Sequence, residues 1–544
     1  MKRDRTLGRL SRRDFIKGAT AGAAIAVAGP ALFRSEDAVP LVNAASTPIC
    51  PDGTQDVALV NGRFLTLDKN NTVVGAVTIR NGRFAEIGTV GTLRPCAQTI
   101  DLQGRTVIPG LIDSHVHFIR CGINPGHEVR IIETATSIAE LQQMISDRIQ
   151  QLALPAGEFL TCVGGWNRNG IGGSLPTPAQ LDAAAPNNPV YLSETGGGGA
   201  GLTNTLGRTF FQSNGVTVNA STGVLNANQG LAALQAVQTE ADKLRGTAEV
   251  CDFAASIGLT GIHDHGGLSG LAPYNYALTL WRQGNLKTRQ RIFLWSGDDS
   301  GFTTEQTRII NDLNRIGDDL FRTLGVGERL NTSTTNPGFV DACKFAASNG
   351  WTLTQHSLTA AEVAFHISAY QAAATAGAID KFRWSLCHVN PITDPQIQTV
   401  KQLGIGLNIQ GTQYTSGAGA TPGGPPFRKL LDAGIPCGGG SDATNVAALN
   451  PWLMMYYMTT AKNNAGVVIN ADQTITRLEA LRMYTIGSAY LSFDDDRLGT
   501  IETGKLADLV VLNDNPLTVS DDQFRKLHSV LTLQAGKTVY SAAN

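Results

Sequence analysis

From about residue 108 to residue 490 the chain alternates short apolar runs with segments of helical periodicity, and few architectures accept such a pattern for nearly 400 residues. Ser137 to Leu152 places Ile138, Leu141, Ile145 and Ile149 on one helical face. Thr303 to Leu320 does the same with Ile309, Ile310, Leu313, Ile316 and Leu320, which predicts one helix over that span. Phe339 to Ser348 ends in Asn349-Gly350, a helix-stop signal, and leads into a strand from Trp351 to Gln355. Ala360 to Ala374 reads as a helix that carries His366 as a structural residue. Repeated strand and helix units argue for an α/β protein with parallel strands. The length suits a (β/α)8 TIM barrel with insertions.

The flanks differ. From Asp56 to Arg105, β-like runs are separated by Asn61-Gly62 and Asn81-Gly82, and both steps predict hairpins. The same character returns in Gly499-Thr500-Ile501-Glu502-Thr503-Gly504-Lys505-Leu506-Ala507-Asp508-Leu509-Val510-Val511-Leu512. Residues 46–107 and 491–544 are therefore expected to build one composite β-sandwich beside a barrel of residues 108–490.

Residues 1–45 read as a leader. Ser11-Arg12-Arg13-Asp14-Phe15-Ile16-Lys17 precedes a charge-free stretch from Gly18 to Phe33, too short for a membrane span. The twin arginine at that junction resembles a twin-arginine export signal, which implies passage through that export machinery and a periplasmic or extracellular location. The leader carries 8 of the 43 Lys+Arg and 4 of the 45 Asp+Glu, so the remainder is acidic and has no basic stripe for nucleic acid. A homo-oligomer is left open. None of the 8 cysteines forms a Cys-x-x-Cys pair; they read as small buried hydrophobes, with a Cys50–Cys96 disulfide the one pairing open after export.

In a barrel of this kind chemistry gathers where strands end. Five apolar runs end in polar residues: at His115 and His117, at His263-Asp264-His265, at Gln355-His356, at Cys387-His388 and at Ser441-Asp442. Strand alternation puts His115 and His117 on one face. With His356, His388 and Asp442 they make a nitrogen and oxygen donor set suited to zinc or a similar divalent ion. Water on such an ion is acidified toward a pKa of ~7, and Asp442 can take its proton and hand it to a departing amine. His388 or His356, where not ligating, can polarise a carbonyl. No Gly-x-Gly-x-x-Gly turn follows a strand in a βαβ context, so a dinucleotide enzyme finds no support.

The stretches Val107-Ile108-Pro109-Gly110-Leu111-Ile112-Asp113-Ser114-His115-Val116-His117, Gly165-Trp166, Gly258-Leu259-Thr260, Arg383-Trp384 to His388, Gly440-Ser441-Asp442 and Gly504 to Leu512 resemble the amidohydrolase superfamily. The branch is the amidohydrolase-3 group that includes N-substituted formamide deformylase-like proteins. The resemblance implies that His115 and His117 are first-strand metal ligands. It makes His356 and His388 the fifth- and sixth-strand ligands and Asp442 the eighth-strand acid and base. Two departures stand out. Where the branch commonly has a lysine that bridges two metals, this chain reads Leu324-Gly325-Val326-Gly327-Glu328. Either Glu328 bridges in its place or the site is mononuclear. Where the branch often has a substrate-side Gly-His, this chain reads Ser193-Glu194-Thr195-Gly196-Gly197-Gly198-Gly199.

Trp166 is expected to wall the pocket, and His263 and His265 to contact substrate or orient the ligands. The expected activity is metal-dependent hydrolysis of an amide, N-formyl, carbamate or cyclic amide bond in a small molecule. A deaminase or lactone hydrolase on the same scaffold, or a catalytically silent small-molecule binder, remains the alternative.

Overall fold

A computed structural model describes residues 55–542 apart from 89–90, 92–93, 95–96, 196–198, 267–271, 296–301 and 332. The leader, Cys50 and Cys96, and most of the four-glycine run lie outside the described residues. Among the described residues no helix is long and apolar enough to cross a membrane.

Eight central strands carry the site. They are β1 (Leu111–Val116), β2 (Leu259–Asp264), β3 (Arg289–Leu294), β4 (Phe321–Val326), β5 (Thr354–Ser357), β6 (Ser385–His388), β7 (Gly406–Gln410) and β8 (Cys437–Gly440). The first four form one parallel sheet in the order β4-β3-β2-β1, and the last four form another in the order β5-β6-β7-β8. Side chains of β1, β2, β6, β7 and β8 are buried on both faces, as parallel strands covered by helices must be. The two ladders do not form one continuous sheet, but their margins meet twice. Val326 bridges Leu353 in parallel register. At the other margin Asp442 N–H donates to the His115 carbonyl at 2.8 Å, and His117 N–H donates to the Ala443 carbonyl at 2.8 Å.

Both chain ends enter one six-stranded sheet, in the order Lys537–Ser541, Ser529–Gln534, Leu509–Leu512, Thr106–Pro109, Arg63–Leu65, Val73–Val74. A second sheet runs Arg83–Ile87, Val77–Arg80, Val57–Val60, Gln98–Asp101. Leu59, Phe64, Val77, Val107, Leu509 and Leu531 fill the core that the two share. Asn81-Gly82 makes the expected hairpin, both residues taking positive φ (52° and 74°) as a primed turn requires. Asn61-Gly62 does not: Val57–Val60 and Arg63–Leu65 belong to different sheets, so this turn passes the chain from one layer to the other.

One further expectation is corrected. The helix that starts at Thr303 stops at Asn311, and Leu313 and Ile316 are 66% and 51% exposed. Arg315 takes φ +53° there, and Asp318 Oδ1 accepts from the N–H groups of Leu320 (2.8 Å) and Phe321 (2.9 Å), turning the chain into β4. Between β1 and β2 the chain also builds a separate five-stranded sheet, in the order Val224–Asn226, Ala200–Thr203, Val190–Ser193, Leu160–Val163, His127–Glu128. Trp166 is buried in its core with Val129, Ile132, Leu160 and Leu192.

Buried ion pairs tie the C-terminal segment to β3. Arg289 grips Asp508 with two bonds of 2.7 and 2.8 Å. Arg291 Nε donates to Asp494 at 2.8 Å, and Arg322 and Arg497 also reach that carboxylate. Burial pushes the Asp494 carboxyl up, but Arg291, Arg322 and Arg497 outweigh it and hold the group well below the usual carboxylate range. Its stabilising contribution is therefore complete above the unfolded value of about 3.9 and is lost as pH falls below it. Asp494→Asn leaves buried arginines unpaired and is expected to destabilise by about 3–5 kcal/mol at neutral pH. Denaturant unfolding at pH 7 and pH 3.5 checks this: the gap between wild type and variant should narrow in acid.

Candidate metal centre

His115 and His117 stand two residues apart where β1 ends, and their ring centroids are 5.8 Å apart. His117 Nδ1 lies 2.9 Å from the carbonyl oxygen of Gly266. A carbonyl only accepts, so Nδ1 carries a proton and, in the neutral ring, Nε2 holds the lone pair. That lone pair faces Glu328 Oε1 at 3.3 Å and Asp442 Oδ1 at 3.4 Å. His115 Nε2 lies 3.1 Å from Glu328 Oε2 and 3.3 Å from Asp442 Oδ1, yet among the described residues neither nitrogen of this fully buried ring makes an aligned hydrogen bond. On the other side of Glu328, His356 Nδ1 is 3.3 Å from Oε2 and 2.9 Å from His388 Nε2. Glu328 thus touches histidines from both sheets.

Local backbone geometry aims these groups. His388 and Asp442 take φ of +67° and +60°, left-handed conformations that cost about 1–3 kcal/mol each in a non-glycine residue. Specific bonds hold them there: His388 N–H donates to Gln410 Oε1 at 3.1 Å, and Asp442 N–H to the His115 carbonyl at 2.8 Å. Gly440 lets β8 lie against β1, because a Cβ there would stand 2.7 Å from that of His115. Asp113 clamps the same junction, its Oδ1 accepting from His115 N–H at 3.0 Å and Ser441 N–H at 3.1 Å. Burial pushes the Asp113 carboxyl up to about 6, against the pull of those hydrogen bonds. Sequence reasoning did not assign Asp113 a role. The signal was present: an ionisable residue in an apolar strand buried on both faces needs a partner.

The cluster demands positive charge. Burial alone would raise Glu328 and Asp442, but the His115 and His117 rings outweigh it and hold both carboxyls well below their usual range. Burial alone would lower His117, but Asp442 and Glu328 carry it up to about 9; His115 moves the same way, under Cys387, Glu328 and Asp442. Burial pushes His388 down to about 3, so its ring is neutral. A divalent ion meets the same demand while leaving every imidazole neutral, as ligation requires. The donors fit one. Within each of the groups His115, His117, Asp442 and Glu328, His356, His388, the ligand atoms lie within 4.8 Å of one another.

Of the other predicted residues, His265 adjoins the cluster. His265 lies beneath His115, and its Nε2 is 2.8 Å from the Ser114 carbonyl oxygen. His263 is buried in the interior, where burial pushes it down to about 3 among the charges of Asp494, Arg291 and Arg322. Trp166 belongs to the core of the five-stranded sheet, with its indole N–H unpartnered among the described residues. His366, expected to be structural, is buried between Ser357 Oγ (2.8 Å) and Asn331 Nδ2 (3.1 Å).

A model described as "Amidohydrolase family" matches residues 98–540. The N-substituted formamide deformylase of Arthrobacter pascens is 24% identical, over 89% of this chain and 98% of its own length. An uncharacterized metal-dependent hydrolase from Pyrococcus horikoshii OT3 superposes with a TM-score of 0.56 at 18% identity, over 86% of this chain and 99% of that one. Atrazine chlorohydrolase TrzN from Arthrobacter aurescens TC1, solved with zinc, superposes with a TM-score of 0.53 at 16% identity, over 90% and 96% of the two chains. At such identities the likeness to solved structures is one of fold.

Proposed function

This chain belongs to the amidohydrolase family and is a metal-dependent hydrolase of carbon–nitrogen bonds, and on that premise we propose that it cleaves an N-formyl or related amide of a small molecule at the His115–Glu328–Asp442 cluster. The observation that carries this reading is the placement of Glu328, whose carboxylate contacts His115, His117 and His356 together. It stands between two donor groups and suits a bridging role between two divalent ions, for which zinc is the simplest choice with imidazole and carboxylate donors. Carbamates and cyclic amides present the same trigonal carbon.

We read the two parallel sheets as halves of one (β/α)8 barrel, because their margins meet at Val326–Leu353 and at His115–Asp442. All the donors then lie at one end of it, where barrel chemistry is expected. Side-chain exposure indicates the open side: His356 and Asp442 keep 17% and 13%, while His115 has none. Substrate approaches there. Bound divalent metal supplies Lewis acidity at the carbonyl and acidifies water near neutral pH. Asp442, held ionised by His115 and His117, accepts the proton of the attacking water and returns it to the departing nitrogen. His388, neutral and turned inward, orients the carbonyl where it is not itself ligating. The twin-arginine leader supports export of the folded, metal-loaded protein.

The test is zinc-reconstituted protein assayed against N-formyl amines, N-acyl amides, carbamates, cyclic ureides, aminopurines and lactones. Formate or carboxylate release that chelation abolishes and zinc restores is the expected result. Turnover of aminopurines or lactones alone would replace this reading with a deaminase or lactonase. Metal binding without any turnover would leave a binding protein.

A further inference from the structure

Beneath the six donors lies a layer that the proposed reaction does not use. Cys387 is fully buried and shares the inward face of β6 with Ser385. A directed chain of hydrogen bonds runs into its sulfur. Asn408 Nδ2 donates to Ser385 Oγ at 2.9 Å, and Ser385 Oγ donates to Thr354 Oγ1 at 2.9 Å. The Thr354 hydroxyl is left to donate to Cys387 Sγ at 3.2 Å, and Asn408 Nδ2 also stands 3.9 Å from that sulfur. The thiol proton is then directed to His265 Nδ1, 3.7 Å away. His265 Nε2 is 2.8 Å from the Ser114 carbonyl, so Nε2 carries the ring proton and Nδ1 holds a lone pair.

An S–H···N hydrogen bond would satisfy Cys387 and His265 but not their neighbour. The His115 ring lies 4.1 Å from that of His265, and both of its nitrogens are buried without a hydrogen bond among the described residues. Donor atoms of His115, His265, Glu328 and Cys387 all lie within 4.8 Å of one another. A ring clamped through its other nitrogen by a backbone carbonyl is the usual state of a ligating histidine.

We propose that Cys387 Sγ and His265 Nδ1, with His115 and Glu328, form a buried sulfur-containing position for a thiophilic divalent ion beneath the outer donors. This rests on the reading that the cluster binds metal, and adds to it a sulfur ligand and a deeper position. Thiolate ligation shifts preference from magnesium, calcium and manganese toward zinc, cobalt and cadmium. On binding, the Cys387 S–H bond breaks, a sulfur–metal bond forms, and the proton leaves to solvent.

The experiment is cobalt(II) titration of the chelator-stripped full chain, read by absorption. Wild type should develop a near-ultraviolet sulfur-to-cobalt charge-transfer band that saturates with bound cobalt. Cys387→Ser should lose the band, and Cys343→Ser, which alters a buried cysteine outside the donor groups, should keep it. X-ray absorption of zinc-loaded wild type needs no variant, and should show one sulfur at about 2.3 Å. Bound cobalt without the band, a band that survives Cys387→Ser, or a zinc shell of nitrogen and oxygen alone would overturn the proposal while leaving the metal reading intact. Failure to bind cobalt or zinc at all would overturn both.

Discussion

His115→Ala is expected to strip the protein of metal and reduce turnover to background. The ring is fully buried, belongs to two of the donor groups, and lies within 3.3 Å of both Glu328 and Asp442. Its removal deletes a ligand and leaves Glu328 and Asp442 with one imidazole fewer to offset their charge, His117 being the ring that still touches both. The loss of metal affinity should exceed the 10- to 100-fold typical of changes behind the ligands. Elemental analysis, turnover and a thermal melt on the same sample separate this from unfolding. A folded variant that keeps its metal and its activity would remove His115 from the site.

Asp442→Asn is expected to keep the metal and lose the chemistry. Asparagine retains an oxygen that can ligate and the left-handed backbone that the position requires, since Asn tolerates φ near +60° better than most residues. It cannot accept a proton from water. The rate should fall by roughly 10²- to 10⁴-fold, the scale of a lost general acid and base. Steady-state kinetics beside metal analysis checks both halves; an active variant would move the proton-transfer role to another group.

The strand-end donors were legible in the sequence because strand alternation is short-range. His115 and His117 follow from it directly, and so does the common face of Thr354 and His356 on β5. Cys387, read with the other cysteines as a small buried residue, is indeed fully buried, but its place beside the donors is not given by alternation. Alternation sets Cys387 and His388 on opposite faces, but His388 leaves the strand with φ +67°, so both side chains reach the interior. A single backbone angle defeated the rule. Asn61-Gly62 shows a second limit, since the turn signal was correct but its use between two sheets depends on partners far along the chain. The helix expected from Thr303 to Leu320 failed because apolar spacing cannot tell a buried stripe from an exposed one, and Leu313 and Ile316 are exposed. The five-stranded sheet between β1 and β2 was invisible as a separate unit, because its strands alternate with helices as the central ones do.

The most direct test counts metal ions per chain in wild type and in Glu328→Ala. With Glu328 beside the His115–His117–Asp442 group and shared by the His356–His388 group and the deeper Cys387–His265 position, the account predicts at least two ions in wild type and at least one fewer in the variant. One ion in both proteins would return Glu328 to a structural role, and no metal in either would contradict the account at its root.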